Sequence, residues 1–417
     1  MKKVTKEFRI ALFIVLVFAG CGSDLGSPDT QEVKGGELVV DFSALEMKET
    51  LLSKGLIDEN QTVFGYKAYK IPYTTTDEKN NSVEVSGLLV IPKDVPPAME
   101  SLGFSMVSDD HGTIFANSEA PTVIATNTNL PDGSSVILTS LGGFATLQPD
   151  YIGFGDSYQQ HYHPFILKNS SASTTIDFIK AVKVFAQENN IPLNNQLFLT
   201  GYSEGGYVSL ASLEKIEETK ELNVTMAIPM AGPYDVNRTA FGVLSAPKLS
   251  VPSFMADFGY AYAKAYDKEL SSIINEPYAS KLPTLFDGSI TRELIDPELS
   301  YDTTGETGLF NPVFVNSFFT DSDYWFRKVV VENSVHSWAP QTPVRLLHCQ
   351  GDNVIPYAIS QVTEATMNAM GARDVELIPV EPTLGLDYNV SHEACGSLAY
   401  GIATKIFSDV RKATIGY

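Results

Sequence analysis

Residues 196–219 read QLFLTGYSEGGYVSLASLEKIEET, and the organisation of the chain follows from how this stretch folds. Gln196 to Thr200 is a short apolar run bounded by polar residues, as in a buried strand. After it, Val208, Leu210, Ala211, Leu213 and Ile216 predict a helix over 206–219. Between the two lies Gly201-Tyr202-Ser203-Glu204-Gly205, a G-x-S-x-G. A sharp strand-to-helix turn strains the serine backbone and brings it close to the next helix, so its neighbours must be small. Such a turn holds Ser203 Oγ above the sheet, at the positive end of a helix. The plain alternative is a Gly-rich loop with a helix-capping serine. The flanking strand and helix favour the nucleophile.

Working outward, strands and helices alternate. Val63 to Pro72 and Val83 to Pro92 read as an antiparallel pair around a polar turn. Gly103 to Asp109 and Phe144 to Pro149 are short strands. A helix follows from Ser171 to Asn189-Asn190. Val224 to Met230, Val344 to Cys349 and Val375 to Val380 are further strands. Ile359 to Met370 and Ser397 to Val410 are helices. The pattern predicts an α/β fold: a mostly parallel central sheet flanked by helices. One connection is too long. Residues 233–340 separate two strands that a crossover of about a dozen residues would join. They are expected to form a large, mainly helical cap inserted into a core made of residues 37–232 and 341–417. The cap is rich in aromatics, including Phe254, Phe258, Phe310, Phe314, Phe318, Tyr324, Trp325 and Phe326. These make a core of its own, and any pocket they line is apolar.

A serine hydroxyl is a weak nucleophile without a base, so a histidine is required. The chain has six: His111, His161, His163, His336, His348 and His392. In the order serine, acid, histidine, the acid is best placed at Asp352, in Gly351-Asp352-Asn353-Val354-Ile355-Pro356 directly after a strand. Only His392 follows it. Ser203 is therefore the expected nucleophile, His392 the base and then acid, and Asp352 the group that orients the imidazole. Asp387, on the same loop as His392, is the competing acid. His348 lies inside a strand and reads as a core or hydrogen-bonded residue. An oxyanion needs two backbone donors. One is expected from Glu204, after the nucleophile. The other is expected from His111-Gly112-Thr113, with Thr113 N–H preferred and Gly112 the second choice.

Cys349 and Cys395 flank the loops that carry Asp352 and His392, which must be adjacent. In an exported protein a disulfide between them is favourable, the alternative being two buried thiols. It would contribute roughly 3–4 kcal/mol in the chain-entropy model. His161-Tyr162-His163 has a spacing open to metal ligation, but no other ligand cluster accompanies it, and a polar loop at the site rim is the simpler reading. Gly153-x-Gly155 lacks the third glycine of a dinucleotide-binding turn. No metal and no cofactor is expected.

The N-terminus reads as a targeting segment. Lys2, Lys3, Lys6 and Arg9 precede an apolar run from Ile10 to Phe18, too short to span a bilayer. Ala19-Gly20-Cys21 resembles a bacterial lipobox, with Phe18 where leucine is usual. The resemblance implies a signal peptide over 1–20 and lipidation of Cys21. An ordinary secretory peptide with a chance cysteine is the alternative. Residues 21–36, rich in Gly, Ser and Asp, read as a flexible tether. The protein is expected in the bacterial cell envelope, attached to a membrane by its N-terminal lipid.

The 417 residues carry 29 Lys and Arg against 50 Asp and Glu, a net charge of −21. Removing Lys2, Lys3, Lys6, Arg9 and Glu7 takes away a net +3 and leaves −24. Such a chain repels phosphate backbones, so no nucleic-acid partner is expected. A hydrophobic content of 44% excludes global disorder, and three cysteines exclude a disulfide scaffold.

Together, His111-Gly112-Thr113, Pro149 to Gly155, Gly201 to Gly206, Gly351-Asp352 with Val354 and Pro356, and Ser391-His392 with Cys395 resemble the α/β-hydrolase superfamily, and within it the secretory-lipase and lipase-like esterase group. The resemblance implies hydrolysis of a small-molecule or lipid carboxylic ester through an acyl-enzyme, with the cap over the pocket. A serine peptidase of the prolyl-oligopeptidase kind also shares Gly-x-Ser-x-Gly-Gly and an Asp near Val-Pro. The residues from Glu37 to Asp110 are too few for its propeller, so the alternative is a peptidase of this kind that lacks one. A non-catalytic binding lipoprotein is the third reading, and it gives no reason for nucleophile, acid and base in order.

Overall fold

In the computed structural model, residues 35–128 and 133–417 are described. The expected signal segment, Cys21 and nearly all of the tether lie outside the described residues.

Nine strands form one sheet: β1 (Glu37–Phe42), β2 (Gly65–Thr76), β3 (Ser82–Lys93), β4 (Phe104–Asp110), β5 (Ala145–Pro149), β6 (Leu193–Tyr202), β7 (Met226–Met230), β8 (Val344–His348) and β9 (Val375–Pro379). Their order is β1-β2-β3-β5-β4-β6-β7-β8-β9. The pairings β1–β2, β2–β3 and β3–β5 are antiparallel, and all later ones are parallel. The β2–β3 hairpin is longer than the sequence suggests. Its turn is closed by Asp77, whose carboxylate accepts from the backbone N–H of Lys79 and Asn81 and from the Asn81 side chain.

β4, β5 and β7 are buried along their whole length. That is the result of covering a parallel sheet on both faces. Alternation along β6 shows the two layers. Leu197 and Leu199 pack in the core shared with the helices Lys168–Glu188 and Glu204–Thr219. Phe198 points the other way, against Phe407 of the helix His392–Thr414, with ring centroids 4.6 Å apart. All six parallel strands run in one direction, so their C-terminal ends gather the functional loops along one edge.

Several elements have no counterpart among those expected from the sequence, among them the helices Pro97–Leu102 and Pro121–Thr128 and two elements at the start of the core. β1 adds an outer antiparallel strand, and the helix Ala44–Ser53 follows it. Ser43 and Glu46 form a reciprocal capping box at that helix, a signal the sequence does carry. The closing helix also begins earlier than expected. It starts at His392 rather than Ser397, with Ser391 as its N-cap. His392 therefore sits on the first turn of a helix instead of inside a loop.

Between β7 and β8 the chain folds mainly into helices: Val236–Ser245, Pro252–Ala265, Tyr278–Leu285, Pro312–Thr320 and Trp325–Glu332 are the longer ones. Phe258, Tyr262, Phe314, Phe318 and Phe326 pack on one another, at 4.2 Å for Phe258–Tyr262 and 4.8 Å for Phe314–Phe326. The insertion is bonded to the core. Tyr262 donates to the Ile166 carbonyl at 3.0 Å, and Tyr207 to the Asn333 carbonyl at 2.7 Å. Among the described residues no helix is long and apolar enough to cross a membrane.

Candidate active site

Ser203 lies at the turn between β6 and the helix Glu204–Thr219, with φ 60° and ψ −119°. A non-glycine residue at positive φ is strained, at a cost of about 1–3 kcal/mol. The surroundings hold it there. Ser203 N–H donates to the Met230 carbonyl at 2.9 Å. The flanking glycines are required by close approach. A Cβ on Gly205 would lie 1.8 Å from the Asp110 carbonyl oxygen, and one on Gly206 2.3 Å from that of Met230. The first turn of the helix is thereby seated directly on the ends of β4 and β7, and the serine side chain is left above the sheet edge.

His392 Nε2 is 2.9 Å from Ser203 Oγ, and His392 Nδ1 is 2.6 Å from Asp352 Oδ2. The three side chains expected to act together are thus linked in one line. Asp352 Oδ1 accepts from the N–H groups of Val354 and Ile355, both at 2.8 Å. Its side chain has no solvent exposure. Burial alone would raise its carboxyl. Hydrogen bonds from His348 and His392 outweigh that and hold it well below the usual carboxylate range. Asp352 thus stays an anion acceptor. That fixes the proton on His392 Nδ1 and leaves Nε2 free to accept. Asp387, the competing acid, is exposed on the loop before His392, and the His392 ring is paired with Asp352 instead.

Several supporting groups carry no signal of their role in the sequence. Tyr202, inside the motif, donates its hydroxyl to the His392 carbonyl at 2.6 Å. Asn353 Oδ1 accepts from His392 N–H at 3.1 Å. The buried Glu381 accepts from the N–H groups of Gln350, Gly351 and Val390, and so ties the loop of Asp352 to the segment leading to His392.

Gly112 packs against the elbow, where an added Cβ would lie 3.3 Å from the Tyr202 carbonyl oxygen. Thr113 and Glu204 line the same pocket as Ser203. The loop is braced by its own histidine. His111 Nδ1 donates to the Gly112 carbonyl at 2.7 Å, its ring stacks on Tyr151 at 3.9 Å, and Tyr151 donates to the His111 carbonyl at 3.0 Å. His161 is exposed, whereas His163 is almost buried beneath the elbow. His163 Nε2 is 2.7 Å from Glu204 Oε1, and its Nδ1 is 3.1 Å from the Ile152 carbonyl oxygen. Burial opposes charging this ring, but the Glu204 carboxylate prevails and raises it above the ordinary imidazole value. The second histidine of the H-x-H thus serves a hydrogen bond under the turn that carries Ser203. Among the described residues no group of His, Cys, Asp and Glu could hold a metal.

A pocket of about 700 Å³, partly open to solvent, leads away from Ser203. The core supplies Phe165, Ile166, Val354 and Ile355, and the insertion supplies Phe254, Met255, Phe258, Phe310, Phe314 and Phe326. Among the described residues Glu204 is the one charged side chain that lines it, and it is turned towards His163. Beside the site, Arg292 of the insertion pairs with Glu393 at 2.7 Å, one residue from His392. This pair is largely exposed and is worth at most about 1 kcal/mol.

Cys349 and Cys395 form a disulfide, with Cα atoms 6.0 Å apart. It joins the end of β8 to the first turn of the helix that starts with His392. The double substitution Cys349→Ser/Cys395→Ser is expected to lower stability by about 3–4 kcal/mol. Thermal unfolding with and without reductant measures this. An unchanged midpoint would show that the bond does not form.

Residues 133–239 match the prolyl oligopeptidase family, a segment that contains Ser203 but neither Asp352 nor His392. Comparison with curated proteins finds no match. A solved structure from Legionella pneumophila is similar over 91% of this chain and 98% of its own, at 24% identity and a TM-score of 0.79. The rice cell wall degrading esterase LipA from Xanthomonas oryzae is similar over 91% and 96%, at 22% identity and a TM-score of 0.75. Candida antarctica lipase A in its closed state is similar over 87% and 77%, at 16% identity and a TM-score of 0.57. The chain has the α/β-hydrolase fold. Within this α/β-hydrolase sheet, Ser203, Asp352 and His392 stand at the C-terminal ends of β6, β8 and β9, where the parallel strands deliver their loops.

Proposed function

We propose that the protein is a serine esterase that cleaves carboxylic esters of apolar acids through an acyl-enzyme. The observation that carries this reading is the hydrogen-bonded line Asp352–His392–Ser203 opening onto an apolar pocket. Ser203 Oγ attacks the ester carbonyl carbon as His392 Nε2 takes its proton. The carbonyl electron pair moves onto oxygen, which accepts from the N–H of Glu204 and of Thr113 or Gly112. The tetrahedral species collapses, the ester C–O bond breaks, and the alcohol leaves with the proton from His392. Water repeats the sequence on the acyl-enzyme, releasing the acid and restoring Ser203. Asp352 holds the ring in the required tautomer and stabilises the imidazolium. The insertion acts as a cap that excludes water and receives the acyl chain.

The peptidase reading draws on the match of residues 133–239 to the prolyl oligopeptidase family. Rates on p-nitrophenyl esters of increasing acyl length, beside proline-containing peptide amides, separate the two. Ester turnover rising from acetate to a medium-length chain is the expected result. Turnover of the amides alone would transfer the assignment to a peptidase. Labelling of Ser203 by a fluorophosphonate separates both from a non-catalytic binder.

We also propose export and lipid attachment at Cys21. The Cys349–Cys395 disulfide fits an oxidising compartment. Cys21→Ser is expected to move the protein from the membrane fraction to the soluble one. Unchanged fractionation would remove the lipid anchor.

A further inference from the structure

His348, the last residue of β8, is fully buried. Its Nε2 faces two acceptors, the Ile355 carbonyl oxygen at 3.0 Å and Asp352 Oδ2 at 3.1 Å. Its Nδ1 faces Ser360 Oγ at 2.7 Å, on the helix Ala358–Ala369. Two acceptors on one side place the ring hydrogen on Nε2. Nδ1 then accepts from the Ser360 hydroxyl. A neutral imidazole satisfies every one of these contacts. Asp352 Oδ2 also accepts from His392 Nδ1. One carboxylate oxygen is therefore shared by two imidazoles.

We propose that His348 is a positioning residue that acts on the proposed base through Asp352. It fixes the carboxylate plane together with the Val354 and Ile355 N–H groups, and it draws off part of the negative charge that would otherwise stabilise a protonated His392. This rests on the serine-hydrolase reading given above. Removing the His348 donor leaves Asp352 Oδ2 to His392 alone. Protonated His392 is then favoured, and the acid limb of the pH–rate profile moves to higher pH. The other ionisable groups around the pair do not replace this contact. Glu381 is taken up by the Gln350, Gly351 and Val390 N–H groups, Tyr202 by the His392 carbonyl, and the Tyr357 ring packs edge-on against His348 at 5.6 Å.

The test is the pH dependence of fluorophosphonate labelling of Ser203, which needs no knowledge of the substrate. Wild type, His348→Leu, His348→Gln and Ser360→Ala are compared, with thermal unfolding of each. In His348→Leu the acid limb is expected to rise by about 0.5–1 pH unit, the scale of one hydrogen bond to a charged group. His348→Gln, whose amide can donate to Asp352, is expected to restore most of the wild-type profile. Ser360→Ala, which frees the ring tautomer, gives a smaller rise. An acid limb at the wild-type pH in His348→Leu, with only a lowered unfolding midpoint, would reduce His348 to packing. If His348→Leu does not fold, identical limbs in Ser360→Ala and wild type would overturn the proposal in the same way. Absence of labelling in the wild type overturns the serine-hydrolase reading itself, an outcome distinct from an unmoved limb.

Discussion

Ser203→Ala is expected to lower ester turnover by roughly 10⁵–10⁶-fold and leave the unfolding midpoint almost unchanged. The loss is large because His392 Nε2 has no other hydroxyl to activate within the hydrogen-bonded line from Asp352. The fold is insensitive because alanine keeps the Cβ and the strained backbone, still held by the Met230 carbonyl. Ser203→Gly supplies the control. It is equally inactive, yet it relieves the positive-φ strain and is expected to gain about 1 kcal/mol in stability. Rates on a chromogenic ester and thermal unfolding of the three proteins decide the matter. Substantial activity in Ser203→Ala would end the assignment of the nucleophile.

Asp352→Asn is expected to cost roughly 10⁴-fold in turnover. Asp352 faces donors on every side: His392 and His348 at Oδ2, and the Val354 and Ile355 N–H groups at Oδ1. An asparagine must turn its NH₂ towards one of these pairs. Turned to the imidazoles, it makes His392 accept at Nδ1 and carry its hydrogen on Nε2, pointing at Ser203 and unable to take a proton. Turned to the backbone, it leaves buried donors opposed, which costs stability as well. Asp387→Asn, on an exposed residue, is expected to leave turnover within about twofold, as surface changes away from such contacts do. A large loss there with little loss in Asp352→Asn would mean that the acid is misplaced.

The legibility of this site varies with how local each signal is. The turn around Ser203 is written in a few consecutive residues, because strand, small neighbours and helix all follow from local sterics. Asp352 and His392 are legible through chain order and through their place after strands. His348 lies only four residues before Asp352, but a histidine within an apolar strand reads as core until the loop folds back over it. Glu381 and His163 are harder. The N–H groups of the Asp352 loop lie 30 and 31 residues from Glu381, and Glu204 lies 41 from His163, and no spacing rule links a carboxylate to the N–H groups of another loop. Among the described residues β1 pairs with β2 alone, at the edge of the sheet, and its short run has no partner recognisable in sequence.

Taken by itself, the sequence determined the α/β alternation and the strand-to-helix turn at Ser203, and it pointed to Ser203, Asp352 and His392 as one group and to a long helical stretch before β8. Each depends on periodicity or on short-range backbone geometry, which neighbouring residues control. The tertiary structure decided which oxygen of Asp352 is shared by two imidazoles, how Glu381 joins two loops, and which aromatics of the insertion face Ser203. Those outcomes depend on contacts between residues far apart in the chain. They form only when the sheet brings separate strand ends to one edge.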